Sequence, residues 1–94
     1  MKHYRGVGEL PMGEVGRAIA IGAFDGVHLG HREIIGLAVE AAARRGMSSM
    51  VITFDPNPLA VLRPEFKTTV LTNPALRARL IGALGVDELL EIPF

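Results

Sequence analysis

Residues 18–31 read AIAIGAFDGVHLGH, an apolar run followed by a glycine-rich turn and the start of a helical pattern. The apolar run at residues 18–21 is short and ends at Gly22, which predicts a buried strand. Downstream, apolar residues recur at helical spacing, and Gly46 is suited to end that helix. The predicted apolar stripe of the helix consists of Ile34, Leu37, Ala38, Ala41 and Ala42.

Two more strands and a second helix are predicted beyond residue 46. Residues 50–54 are β-branched at their centre and are predicted as a strand, which the segment at residues 55–58 ends because its two prolines cannot donate to a strand ladder. A helix is predicted from Pro74, with Asn73 as its N-cap, up to Gly85. Residues 87–92 are predicted as a third strand although they carry three acids, whereas residues 1–16 are predicted to be a lead-in with turns.

This order of elements, β-α-β-α-β, predicts an α/β fold with a parallel sheet of about three strands and two main helices. Three strands are few for such a sheet, since doubly wound folds have about five or six. The sequence also stops directly after the third predicted strand. Residues 1–94 are therefore expected to be the N-terminal portion of a single, incomplete domain.

The composition excludes several classes of protein. Ten Lys and Arg residues balance ten Asp and Glu residues in a chain of 94, so a nucleic-acid partner is not expected. Cysteine is absent, which removes disulfides, thiol nucleophiles and cysteine-ligated metals. No apolar stretch reaches the roughly 18 residues of a membrane span, and no signal sequence begins the chain. A cytoplasmic protein without a membrane partner is expected.

The loop at residues 22–31 is the candidate site. In parallel sheets, ligands bind at the carboxyl ends of the strands, where this loop lies. Its glycines allow a ligand to approach the backbone, and the N-terminus of the next helix attracts anions. His28 and His31 are three residues apart and would share one helix face. The glycine spacing matches neither a Walker A loop nor a dinucleotide-binding fingerprint.

The same residues allow other interpretations. Each histidine could be structural, although two of them around a glycine at a strand-to-helix turn favour a site. A zinc site would need Asp25 or His3 as a third ligand, and it is disfavoured. Asp25 could form a local turn or position the histidine loop. Phe24 is expected to pack in the interior rather than to stack on a ligand.

Residues 22–31 resemble the signature of the nucleotidyltransferase superfamily that carries a His-x-Gly-His motif. Their form, Phe-Asp-Gly-Val-His-x-Gly-His, is similar to the FMN adenylyltransferase module of prokaryotic FAD synthetases, the bifunctional riboflavin kinase/FMN adenylyltransferases. Residues 51–58, VITFDPNP, are similar to a second segment of that family, in which histidine commonly stands at the place of Asn57. The resemblance implies a Rossmann-like nucleotidyltransferase fold.

The resemblance also implies a reaction of FAD biosynthesis, in which ATP and FMN give FAD and diphosphate. His28 and His31 would be the catalytic residues that hold the ATP phosphates. Mg²⁺ would arrive with ATP, held by phosphate oxygens and water rather than by a protein metal site. The implied nucleotide-binding residues are Gly22, Ala23, Phe24, Asp25, His28, Gly30 and His31. The implied flavin-binding residues are Phe54, Asp55, Pro56, Asn57 and Pro58.

The resemblance is incomplete in length. A later Ser-Ser/Thr-x-x-Arg-type motif of the family and its riboflavin kinase domain are absent from these 94 residues, which are expected to be inactive alone. One alternative is a non-catalytic nucleotide-binding or interaction fragment that self-associates through an exposed sheet edge. Another alternative is a related nucleotidyltransferase with a different acceptor, such as pantetheine phosphate or nicotinamide mononucleotide.

Overall fold

Four parallel strands form one sheet in the order β1-β4-β3-β2. The structure, a computed structural model, describes residues 1–11, 13, 16–24, 29–55 and 74–93, with the backbone alone for residues 29, 30 and 74. Its elements are β1 (Lys2–Arg5), a 3-10 turn (Val7–Glu9), β2 (Arg17–Ile21), α1 (Leu29–Arg45), β3 (Ser48–Asp55), α2 (Pro74–Gly82) and β4 (Glu88–Pro93). The predicted α/β fold with a parallel sheet and two main helices is confirmed.

The strand β1 corrects the prediction that residues 1–16 form only a lead-in with turns. It pairs in parallel with β4, from Lys2 opposite Glu88 to Arg5 opposite Glu91. Its sequence, KHYR, has no apolar residue pattern, so nothing local indicates a strand. The strand forms because β4 offers a free edge and acidic partners, as in the 2.6 Å contact between His3 Nε2 and Glu91 Oε1. Within the described residues, the sheet therefore has four strands where about three were predicted.

Both helices pack on the same face of the sheet. One buried cluster joins α1 and α2 to the three inner-facing strand residues Ala20, Val51 and Leu89. The members that α1 contributes are Ile35 and Ala38, while α2 contributes Ile81. On the other face of β2, the side chains of Ile19 and Ile21 are exposed.

The buried side of α1 differs from the predicted stripe. Ile34 and Leu37 were expected inside but are 51% and 65% exposed, whereas Ile35 is fully buried and Ala38 and Ala42 are buried. Apolar residues stand next to each other at residues 34 and 35 and at residues 37 and 38, so helical spacing alone allows either side of the helix to be the buried one. The rotation of α1 is selected by its packing on β2 and β3, which the periodicity does not contain.

Two of the three acids of the last strand region, Asp87 and Glu88, accept hydrogen bonds from neighbouring strands. Asp87 Oδ2 accepts hydrogen bonds from the backbone N–H and the hydroxyl of Ser49. Glu88 accepts from the Arg17 guanidinium at 2.9 Å and from the Ser48 hydroxyl at 2.7 Å. A buried strand can therefore carry these charges, because neighbouring strands satisfy them.

The turns that follow the helices agree with the glycine pattern. Gly46, directly after α1, has a φ of 64°, and Gly85 has a φ of 89°. The second helix ends at Gly82, three residues before the predicted end, and a turn of the chain continues to Gly85. Pro74 is its first residue, as predicted, while Asn73 lies outside the described residues.

Candidate functional site

The candidate site begins where the chain leaves β2 at the carboxyl end of the sheet. The Gly22 N–H donates to the Ile52 carbonyl at 3.1 Å, so pairing with β3 extends one residue beyond the strand. Ala23 and Phe24 follow, and the helix α1 begins at Leu29. Residues 22–24 therefore lie at the edge of the sheet where parallel α/β proteins bind ligands.

Phe24 is held in an unusual backbone conformation. It is the one non-glycine residue with positive φ in the described part of the chain, at 49°, and its side chain is buried. A non-glycine residue in this region costs about 1–3 kcal/mol and persists where the surrounding structure imposes it. Such strain is frequent at functional sites, which supports the prediction that this loop is one.

Gly22 provides the space that the Phe24 ring occupies. A Cβ atom at Gly22 would lie 3.1 Å from Phe24 Cζ and 3.2 Å from Cε2. The glycine is therefore required here by a close approach of the next-but-one side chain, not by its own φ. The prediction that Phe24 packs in the interior is confirmed by its exposure of 2%.

The Phe24 ring also contacts His31, the third residue of α1. The two ring centroids are 5.2 Å apart and the planes meet at 85°, an edge-to-face arrangement. His31 is half-buried and stands in the first helical turn, where the positive end of the helix dipole favours an anion. A phosphate at this position would meet both the helix N-terminus and the imidazole.

The carbonyl of Ala23 is fixed by two donors from other elements. The Thr53 hydroxyl donates to it at 3.0 Å from β3, and Arg77 Nη1 donates to it at 3.2 Å from α2. The other end of the guanidinium, Nη2, donates to the Phe54 carbonyl at 2.9 Å. One arginine therefore connects the loop after β2 with the end of β3.

Arg77 is a residue that the sequence reasoning missed. In the sequence it is one of two nearby basic residues of the predicted second helix, and nothing local separates it from Arg79. Arg77 is nevertheless buried, while Arg79 is exposed. The available signal was its position four residues before Ile81, which places a charged residue on the buried stripe of α2.

The structure places part of the predicted site. It brings together Gly22, Ala23, Phe24 and His31, and Arg77 connects this group to Phe54. Asp55 ends β3 and lies opposite Pro93 in register. Gly30 lies in the first turn of α1 and is described by its backbone alone. The predicted residues that lie outside the described part are Asp25, His28, Pro56, Asn57 and Pro58.

Neither a metal cluster nor a membrane helix is found in the described ranges. Among residues 1–11, 13, 16–24, 29–55 and 74–93, no three His, Asp or Glu side chains converge in a way that could hold a metal ion. None of the helices in the same ranges is long and apolar enough to cross a membrane.

Together, a parallel sheet, a strained residue after β2 and a histidine at the start of α1 are features of a parallel α/β protein whose candidate ligand site lies at the carboxyl ends of its strands. Comparison with known proteins makes this assignment specific. A sequence profile of the family described as FAD synthetase matches residues 11–94. The chain belongs to the FAD synthetase family, and the resemblance inferred from residues 22–31 and 51–58 is confirmed.

Individual relatives agree with the family. The chain is 37% identical over 82 residues to a bifunctional riboflavin kinase/FMN adenylyltransferase of Listeria monocytogenes, covering 86% of this chain and 26% of the relative. It is 34% identical over 95 residues to the protein of the same description from Escherichia coli K12, covering 100% of this chain and 30% of the relative. The chain thus spans about a quarter to a third of the length of these relatives.

A solved structure also shares the fold. It is described as a macrolide-efflux protein from Streptococcus pneumoniae and superposes with a TM-score of 0.73 at 28% sequence identity. The match covers 100% of this chain and 37% of the other chain. This solved structure therefore supports the predicted α/β fold with a parallel sheet.

Proposed function

We propose that this chain forms the N-terminal part of an FMN adenylyltransferase module that makes FAD and diphosphate from FMN and ATP. In this reaction an oxygen of the FMN phosphate attacks the α-phosphorus of ATP. The bond from that phosphorus to the β-phosphate oxygen breaks, and diphosphate leaves with its electron pair. The attacking phosphate is already anionic, so the protein's task is to position two anions and stabilise the charge of the leaving group.

The arrangement of Phe24 and His31 is the observation that carries this proposal. Phe24, with its strained backbone at the sheet edge, contacts His31 in the first turn of α1, so an imidazole lies close to the start of a helix. His31 and His28 would hold the triphosphate, and Gly30 would let it approach the helix backbone. Gly22 and Ala23 would contact the nucleotide through their backbone, and Asp25 would help to position this loop.

The flavin would lie beside the end of β3. Phe54 and Asp55 finish this strand, and the Phe54 carbonyl shares Arg77 with the carbonyl of Ala23. This shared contact supports a flavin side adjacent to the nucleotide side, which a transfer between two substrates would require. Pro56, Asn57 and Pro58 would continue the flavin side, with an uncharged amide at residue 57.

Magnesium would enter this site with the nucleotide. Mg²⁺ prefers octahedral coordination by phosphate oxygens and water, with few protein ligands. The proposed substrates are accordingly MgATP and FMN, and the protein groups act on the phosphates. A nucleic-acid partner is not part of the proposal, because the net charge of the chain is zero.

Adenylyl transfer by these 94 residues alone is expected to be slow. The chain spans 26% and 30% of the two relatives compared above, and the later Arg-containing motif expected from the resemblance lies outside it. We propose that the residues 1–94 act as one portion of a longer module. FAD formation at the rate of a complete enzyme by this chain alone would contradict that part of the proposal.

A second candidate function is an interaction through the edge of the sheet. The strand β2 lies at one edge, and Ile19 and Ile21 on it are 48% and 64% exposed. An exposed strand edge with apolar side chains favours pairing with another chain. Sedimentation at increasing concentration distinguishes this function: a rising mass that Ile21→Lys abolishes supports it, and a constant monomer mass contradicts it.

The proposed nucleotide site is tested by an amide NMR titration with MgATP. We expect the largest shifts at residues 22–24 and 29–31. His31→Ala should weaken binding by at least about tenfold, the loss expected when a charge-stabilising hydrogen-bond donor is removed. His3→Gln is the matched control, because His3 lies on β1 and contacts Glu91. Shifts confined to other parts of the sheet, or equal effects of both substitutions, would contradict the site.

The acceptor is tested separately. Full-length protein that contains residues 1–94 is incubated with MgATP and, in parallel, with FMN, pantetheine phosphate or nicotinamide mononucleotide. Diphosphate release with FMN and no release with the other two is the expected result. Release with another acceptor and none with FMN would keep the nucleotidyltransferase class and overturn the flavin assignment.

A further inference from the structure

Arg77 is a charged side chain inside the protein, and only 5% of its surface is exposed. Its guanidinium lies at the carboxyl end of the sheet, where Nη1 donates to Ala23 and Nη2 donates to Phe54. The Ala23 carbonyl belongs to the loop directly after β2, and the Phe54 carbonyl belongs to the last two residues of β3. The planar fork of arginine fits this geometry because its donors point in fixed directions.

Filling space does not explain an arginine at this position. Burial of a guanidinium is costly unless it is well hydrogen-bonded, and an apolar side chain of similar volume avoids that cost. In the described part of the chain, the Nε atom of Arg77 has no hydrogen-bond partner, and the ion pairs found there join other residues. Unlike an apolar side chain, a guanidinium with two donor groups can hold two carbonyl groups at a fixed separation.

The Ala23 carbonyl is the more constrained of the two. It also accepts a hydrogen bond from the Thr53 hydroxyl, and Thr53 is fully buried. Ala23 directly precedes Phe24, whose positive φ must be imposed by its surroundings. Two donors on the preceding carbonyl orient the peptide plane between Ala23 and Phe24, and they thereby supply part of that constraint.

We propose that Arg77 is a positioning residue for nucleotide binding. Together with Thr53 it clamps the Ala23 carbonyl, which sets the backbone of Phe24 and, through the ring contact, the orientation of His31. Arg77 acts through these residues and does not touch the nucleotide. This inference rests on the proposed nucleotide site, and it adds a residue on α2 that the sequence motif does not include.

The test compares Arg77→Met with Arg79→Met in the 94-residue chain. Arg79 lies on the same helix and is exposed, so it controls for the loss of a positive charge from α2. The first measurement is made without ligand and records the amide resonances of Ala23 and Phe24 and the ring resonances of His31. We expect all three to move in Arg77→Met and to stay unchanged in Arg79→Met.

The second measurement is the MgATP affinity, taken well below the unfolding temperature of each variant so that global stability does not enter. Arg77→Met should weaken binding by about tenfold, a factor that corresponds to about 1.4 kcal/mol, and Arg79→Met should change it less than twofold. Should Arg77→Met fail to fold, Arg77→Lys decides. Lysine keeps the positive charge but lacks the two fixed donor groups of arginine. Arg77→Lys should therefore move the same resonances and weaken MgATP binding less than Arg77→Met does.

The outcomes separate this inference from the proposed function. If the wild-type chain does not bind MgATP, the proposed nucleotide site fails, while the ligand-free resonances still decide whether Arg77 positions the loop. If the wild type binds and Arg77→Lys retains both the resonances and the affinity of the wild type, positioning by the fork is overturned. The isosteric Thr53→Val removes the second donor to the Ala23 carbonyl and should move the Ala23 and Phe24 resonances in the same direction as Arg77→Met does. Thr53→Ser keeps the hydroxyl and is the control.

Discussion

The ring of Phe24 stands edge-on to the ring of His31, with centroids 5.2 Å apart and planes at 85°. This contact joins the strained turn after β2 to the first turn of α1. A buried aromatic ring has few alternative rotamers in a close-packed interior, so it limits the orientations open to the imidazole. The position of the histidine thus depends on the backbone of residues 22–24.

Phe24→Leu is expected to release the imidazole. Leucine keeps much of the apolar volume but loses the edge-to-face contact, so the free energy of unfolding should fall by about 1–2 kcal/mol. The ring resonances of His31 should move, because the neighbouring aromatic ring is gone. Phe54→Leu serves as control and should leave these resonances in place. Unchanged His31 resonances in Phe24→Leu would show that the contact does not orient the ring.

Gly22→Ala should destabilise the protein, whereas Gly36→Ala should stabilise it. The new Cβ at residue 22 would lie 3.1 Å from the buried Phe24 ring, which has little room to shift. Overpacking of this kind costs about 1–3 kcal/mol. Gly36 lies inside α1 with no atom within 4 Å of an added Cβ, so alanine should add about 0.5–1 kcal/mol. Urea denaturation of both variants measures whether the free energy of unfolding falls for Gly22→Ala and rises for Gly36→Ala.

The position of these glycines illustrates what the sequence could predict. An apolar run that ends at a glycine and a helical pattern are local signals, and they correctly indicated β2 and α1. The strand β1 was missed because its formation depends on β4, a partner 86 residues away at the register pair of Lys2 and Glu88. Local propensity does not contain such a partner.

The candidate site, too, was predicted only where its signals are local in the sequence. The loop and His31 were predicted because their residue types are unusual at a strand-to-helix turn. Arg77 was missed because a charged residue on a helix is usually exposed, and only the packing of α2 shows it pointing to the strand ends. Three acids make residues 87–92 a weak strand candidate by sequence alone, yet neighbouring strands supply hydrogen bonds to Asp87 and Glu88.

Acid should weaken the fold through Glu88. Burial is the largest single influence and raises its pKa, but the Arg17 and Ser48 hydrogen bonds, the Arg17 charge and the Tyr4 hydroxyl together hold it below the usual 4.5. The carboxylate therefore stabilises the fold above pH 4.5, and this contribution is lost as the pH falls through the lowered pKa.

Glu88→Gln tests this pH dependence. The variant should lose about 2 kcal/mol at pH 7, because charged hydrogen bonds are removed, and its stability should fall less steeply than that of the wild type between pH 5 and 3. Glu40→Gln is the control, since Glu40 is exposed and lies 3.9 Å from Arg44; its effect should stay below about 0.5 kcal/mol. Parallel pH profiles of wild type and Glu88→Gln would refute the role of Glu88.

Two neighbouring isoleucines test the rotation of α1. Ile35 is fully buried in the cluster beneath the helix, while Ile34 is 51% exposed. Ile35→Ala should therefore lower the free energy of unfolding by about 2–5 kcal/mol, because it removes buried methyl groups and leaves a cavity. Ile34→Ala removes the same atoms from a surface position and should change stability by less than about 0.5 kcal/mol. Both variants keep the helix length and charge, so denaturant titration reports the side on which α1 meets the sheet. If Ile34→Ala lowered the free energy of unfolding more than Ile35→Ala, the buried side of α1 would be that of Ile34 and Leu37. His31 would then point in a different direction on the same helix.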